Sequence, residues 1–217
     1  MGQITTERHE RIFVITMDRP ERKNALTQTM YEGLNQAFDE FSSDSTLRVA
    51  LIRGAGQCFT AGNDLQDFMN APPLDSSSPV MQFLKRLAEL EKPLVASVQG
   101  PAVGIGTTLL LHADLAYADQ TAAFRLPFVP LGLVPEGGSS LLLPRILGHR
   151  RASELLLLGE KFGADTAREM GIVNEMVEGD VFARAMDRAT ALAQQAPRAV
   201  MQSKALMKAP YRDALRE

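Results

Sequence analysis

Glu136 is the single carboxylate in the run Leu131-Gly132-Leu133-Val134-Pro135-Glu136-Gly137-Gly138-Ser139. A carboxyl buried among apolar residues loses hydration. Its proton affinity then rises, and it can shuttle a proton near neutral pH. The plainer reading, an exposed loop carboxylate, is favoured while the residues stand alone. Two further segments could supply main-chain donors. Phe59-Thr60-Ala61-Gly62-Asn63-Asp64-Leu65 is a run of small residues after a strand, and Gly100-Pro101-Ala102-Val103-Gly104-Ile105-Gly106-Thr107 is a glycine-rich strand-to-helix loop. Both leave backbone N–H groups without ladder partners close to a helix N-terminus, where they bind an anion or a developing oxyanion. Tight turns that bind nothing are the plainer reading of both.

Other chemistries find little support. No Gly-x-Ser-x-Gly or Walker A sequence occurs. Gly54-Ala55-Gly56 and Gly104-Ile105-Gly106 each lack the third glycine of a dinucleotide fingerprint, with Phe59 and Leu109 in its place. The histidines His9, His112 and His149 are scattered, and Cys58 is the only cysteine. No metal site and no internal disulfide is therefore expected.

The elements that must position these groups follow from hydropathy. Arg11–Met17 reads as a strand running into a turn at Pro20, and Thr27 or Thr29 opens a helix, with Thr29 and Glu32 as a capping box. Met30, Leu34, Ala37, Phe38 and Phe41 recur along that helix at helical spacing. Val49–Ile52 and Leu94–Val98 read as buried strands, with Pro72–Pro79 as a loop and a helix after it. Pro93–Leu111 carries no charge, but two prolines and three glycines make it a buried strand–loop–helix rather than a membrane span. Further strands are expected at Asp114–Ala118, Ala122–Phe124 and Ile172–Val177. Helices are expected at Ser139–Leu147, Arg151–Leu158, Asp165–Met170 and Val181–Gln195, with Gly171 as a stop. The order implies an α/β sheet with crossover helices and a helical C-terminal part.

The chain has 217 residues, enough for one large domain. Its 23 Lys+Arg against 26 Asp+Glu leave a net charge of −3, without the basic stripe of a nucleic-acid binder. The charged start lacks a signal-peptide core, which places the protein in the cytoplasm as an expectation.

The three segments, in this order, resemble the crotonase (enoyl-CoA hydratase/isomerase) superfamily. The resemblance begins at Arg19-Pro20-Glu21-Arg22-Lys23-Asn24-Ala25-Leu26 and extends through Ala113-Asp114-Leu115-Ala116 to Ala167-Arg168-Glu169-Met170-Gly171-Ile172-Val173. It implies a ββα superhelix over residues 1–195, with 196–217 starting a C-terminal helical region that family members continue further. A truncated or naturally short form is therefore expected, and a C-terminal targeting signal, peroxisomal or other, stays open. The resemblance also implies a homotrimer or hexamer, an acyl-CoA thioester as substrate, no tightly bound cofactor, and a thioester carbonyl held by the N–H groups of Asn63 and Ile105.

By the same resemblance, Arg22, Lys23, Ala25, Ala61, Gly62, Asp64, Leu65, Gly104, Thr108, Phe128 and Leu131 border the substrate and its CoA. Phe68, Phe83, Leu84 and Val134 join Phe128 and Leu131 around the acyl chain. The two glutamates of hydratases correspond to Thr108 and Phe128, which cannot activate water. Glu136 stands where Δ3,Δ2-enoyl-CoA isomerases keep their base, and where ring-opened phenylacetate isomerases have Asp. The resemblance thus implies an isomerase. Another crotonase reaction, hydrolytic or ring-type, and a silent acyl-CoA-binding protein are the alternatives.

Overall fold

The computed structural model describes residues 2–70 and 75–216. The chain opens with a hairpin of β1 (Gln3–His9) and β2 (Ile12–Asp18), turning at Glu10 with φ +54°. Helix α1 (Gln28–Ser43) leads into β3 (Val49–Gly54). The short α2 (Leu65–Asn70) and α3 (Pro79–Glu89) precede β4 (Leu94–Val98), β5 (Pro101–Val103) and α4 (Ile105–Leu110). Strands β6 (Leu115–Asp119) and β7 (Ala123–Arg125) are followed by α5 (Ser139–Leu147) and α6 (His149–Ser153). Then come β8 (Phe162–Gly163), α7 (Ala164–Glu169), β9 (Glu175–Val177), α8 (Val181–Ala193), α9 (Pro197–Lys208) and α10 (Arg212–Arg216).

Six strands form one sheet in the order β1-β2-β3-β4-β6-β9, parallel throughout except for the β1–β2 hairpin. A smaller sheet joins β5, β7 and β8, with β5 and β7 parallel. The central strands read as unbroken apolar runs because both faces are covered. On one face Phe13, Ile15, Ala50, Ile52 and Ala96 pack with Leu34, Phe38 and Phe41 of α1. Their alternates Ile12, Val14, Val49, Leu51 and Val95 pack with Val181, Ala185 and Ala189 of α8. No helix among the described residues is long and apolar enough to cross a membrane.

Several local expectations change. The α1 cap is Thr27, whose side chain accepts from Met30 N, so Thr29 and Glu32 form no capping box. The last strand shrinks to Glu175–Val177, because Asn174 leaves the ladder and bonds Ala116 through both its backbone N–H and its side-chain oxygen. The helix expected over Arg151–Leu158 begins as α6 and widens into a π-helical turn at Glu154–Leu158. Residues 72–74 of the expected loop lie outside the described residues, and Asp75–Ser78 form a turn that ends in Ser78, the cap of α3.

Candidate active site

The loop before α1 forms one wall. Residues Pro20–Arg22 make a single 3₁₀ turn, and Asn24 then adopts φ +54° with its side chain buried. Asn24 Oδ1 accepts from Arg19 N at 2.8 Å, while Nδ2 donates to the carbonyls of Ala55 and Cys58 at 2.9 and 2.6 Å. This clamp ties the loop to the end of β3. The chain next pairs Leu26 with Asn63 in a parallel bridge: Leu26 N donates to Gly62 O and Asp64 N to Leu26 O, each at 2.8 Å. In such a bridge the residue facing the paired one turns its own N–H the other way. The N–H of Asn63 accordingly has no acceptor among the described residues.

Thr60 bridges Ala102 in the same manner and brings β5 alongside. Gly104 then turns the chain at φ +55°, a conformation that disfavours any side chain, and α4 starts at Ile105. As the first helical residue, Ile105 has an N–H with no intrahelical acceptor. Its side chain is buried in the core, and Thr107 Oγ1 donates to Ala102 O at 2.6 Å, so α4 is pinned to β5.

Glu136 arrives from the other side. Its carbonyl accepts from Ser139 N at 3.0 Å and Ser139 Oγ at 2.7 Å, across two glycines with φ +58° and +69°. Both values suit glycine, and a Cβ at Gly137 would stand 2.6 Å from Thr108 Cγ2. Burial alone pushes the Glu136 carboxyl up from 4.5 to about 7.

These groups line one cavity of about 310 Å³, with Ala61, Gly62, Asn63, Gly104, Ile105 and Glu136 on its polar side. Leu65, Phe68, Leu84, Phe128, Leu131 and Val134 belong to its apolar lining. Among the described residues that line it, Glu136 is the one ionisable group. Five of the apolar lining residues are exposed: Leu65, Met81, Leu131, Leu133 and Val134.

Other expected site residues fall elsewhere. Phe83 does not line the cavity; it is fully buried and packs against Tyr31 and Phe38. Thr108 is equally buried behind Gly137, and its Oγ1 has no hydrogen-bond partner among the described residues. Asp64 is committed to Arg19 in a 2.8 Å ion pair, which holds its carboxyl below the usual range, and it also accepts from Gln66 N and Asp67 N at the start of α2. Ala25 O accepts from the same Arg19 guanidinium at 3.0 Å. Arg22 and Lys23 are exposed on the loop beside the Leu26–Asn63 bridge, and neither lines the cavity.

Two residues that the sequence does not single out touch the site. Tyr31, buried on α1, donates its hydroxyl to Asn63 Oδ1. His112 Nε2 bonds Gly137 O at 2.7 Å. Tyr31 directly follows Met30 on the buried face of α1, which is the only signal available for it. His112 closes the uncharged run that contains α4, and its bond spans 25 residues of sequence.

The sequence profile of the enoyl-CoA hydratase/isomerase family matches residues 7–217. The chain is 37% identical over 179 residues to 1,2-epoxyphenylacetyl-CoA isomerase of Escherichia coli (strain K12), covering 79% of this chain and 68% of that one. It is 34% identical over 209 residues to enoyl-CoA delta isomerase 2 of Homo sapiens, covering 93% of this chain and 53% of that one. It thus spans about half the length of the human relative. Among solved structures it superposes on OdaA of Pseudomonas aeruginosa with a TM-score of 0.95 at 47% identity, over 98% of this chain and 87% of that one. Sequence and fold agree: the chain belongs to the enoyl-CoA hydratase/isomerase family and has the crotonase fold.

Proposed function

We propose that the protein is an acyl-CoA isomerase that moves the double bond of a 3-enoyl-CoA into conjugation with the thioester. The observation that carries this reading is the cavity itself. One ionisable group, Glu136, shares an otherwise apolar lining with two residues whose N–H groups are free to donate.

In this mechanism the thioester oxygen accepts from the N–H groups of Asn63 and Ile105. Glu136, ionised, removes a proton from C2 of the substrate. The electron pair of that C–H bond spreads through the former double bond into a dienolate, with most charge on the oxygen between the two donors. The carboxyl, now neutral, returns the proton to C4, and the C2–C3 double bond forms. One carboxyl performs both transfers, so no water takes part. A hydratase of the resembling type needs a second carboxylate, and Thr108 and Phe128 stand at both corresponding positions. Phe128 in the cavity wall keeps the site dry instead.

The acyl chain lies along Phe68, Leu84, Phe128, Leu131 and Val134, and the exposed cations Arg22 and Lys23 serve the CoA phosphates. Self-association into a trimer or hexamer covers the open edge at Leu131, Leu133 and Val134. The test is incubation with 3-enoyl-CoA and 2-enoyl-CoA of several chain lengths. The reading requires a double-bond shift in the 3-enoyl series and no 3-hydroxyacyl product from the 2-enoyl series. Hydration would favour a hydratase, free CoA a thioesterase, and binding without turnover an acyl-CoA-binding protein.

A further inference from the structure

We propose that His112 is a positioning residue for the Glu136 base, holding the Gly137 carbonyl in place. The inference rests on the reading of Glu136 as the base.

The Glu136 carboxylate needs a fixed aim, and no hydrogen bond or ion pair with the described residues provides one; burial is the sole cause acting on it. Its direction must therefore come from its backbone. On the C-terminal side that backbone is held by Ser139, through both N–H and Oγ. Across the turn, the Gly137 carbonyl is held by a single side chain, His112. The intervening Gly137 and Gly138 have the freest backbone of any residue type, so an untethered turn would let the carboxylate swing.

His112 suits this task. It is 4% exposed and follows α4 directly, in a segment buried throughout and pinned to β5 by Thr107. The same helix begins with Ile105. The proposed oxyanion donor thus opens α4, and the tether of the base lies in the turn just past its end. Because a carbonyl only accepts, Nε2 must carry the proton. The ring stays neutral, since burial pushes its pKa down to about 4 and the charges of Lys208 and Lys204 push the same way; the bond to the Gly137 carbonyl selects the tautomer. The other nitrogen, Nδ1, is buried without a partner among the described residues. The ring is thus held in place by its bond to Gly137 and by packing.

The test compares His112→Gln, His112→Asn and His112→Phe in the 3-enoyl-CoA assay. A Gln amide nitrogen reaches the place of Nε2, whereas an Asn amide stops at that of Nδ1. Gln and Asn carry the same polar burden into the core, so this pair stays informative if the Phe variant fails to fold. The expected result is a kcat loss on the order of 10²-fold for Asn and Phe, as for a misplacement of about 1 Å, with KM changed little. Gln recovers most of the turnover. The apparent pKa in the kcat profile moves down from about 7 in Asn and Phe, because a swinging carboxylate regains water. Equal losses in Gln and Asn with unmoved pH profiles would overturn the proposal, as would wild-type turnover in Asn. Glu136→Gln separates the two levels. If it retains full turnover, the base reading and this inference fail together. If it is inactive while His112→Asn is fully active, the inference alone fails.

Discussion

The hydroxyl of Tyr31 donates to Asn63 Oδ1, joining the buried face of α1 to a residue that lines the cavity. Burial raises the Tyr31 pKa well above its usual value, and the nearby Glu136 charge adds to the rise, so the phenol remains a donor across the working range. Removing the hydroxyl leaves the Asn63 main chain intact but frees its side chain to rotate. Tyr31→Phe should therefore lower kcat by about 10-fold or less, well short of the 10²–10³ of an oxyanion donor lost outright. Steady-state kinetics on 3-enoyl-CoA checks this, and a loss beyond 10³-fold would assign Tyr31 a direct part in the chemistry.

The Glu136 carboxyl titrates near pH 7, and only its ionised form can take a proton. The rate should be level above pH 8 and fall about tenfold per pH unit below 6, as for one essential base. Stability changes with the opposite sign. The folded pKa of about 7 lies above the ordinary 4.5, so the native state binds more protons than the unfolded one between these values. Stability should fall as pH rises from 4.5 to 7, by at most about 3–4 kcal/mol from this group. Glu136→Gln should remove that slope in denaturant titrations while sharply lowering turnover.

Gly137→Ala meets two obstacles, a backbone at φ +58° and a Cβ 2.6 Å from the Thr108 methyl, with Leu84 at 3.2 Å. The backbone conformation alone costs about 1–3 kcal/mol, and the contact with buried Thr108 adds to it. Thermal melting should show the loss, and turnover should drop further than the folded fraction because the turn carries Glu136. Unchanged activity in a destabilised protein would separate the turn from catalysis.

Much of this arrangement was readable from the chain. The uncharged run Pro93–Leu111 had to hide its backbone, and it does so as β4, β5 and α4. Alternation along Ile12–Met17 and Val49–Ile52 matches the two packed faces. Glu136 stood out as an isolated charge among apolar residues, and the cavity gathers it with Asn63 and Ile105. The first strand escaped notice because Gln3–His9 is an edge strand, polar on both sides apart from Ile4, which packs against Gly33 of α1. Tyr31 and His112 escaped for a different reason: their partners lie 32 and 25 residues away, at distances only the finished fold closes. The same holds for Phe83 and Thr108, whose types suit a site but whose side chains turn into the core.

The central claim is that a single carboxylate moves the double bond. Glu136→Gln keeps the side-chain shape and its place in the cavity wall but cannot accept the C2 proton. The most direct measurement is the rate of conversion of 3-enoyl-CoA to 2-enoyl-CoA by this variant, with binding of the thioester measured alongside. The rate should fall by about 10²–10⁴-fold with binding preserved. Conversion at the wild-type rate would contradict it.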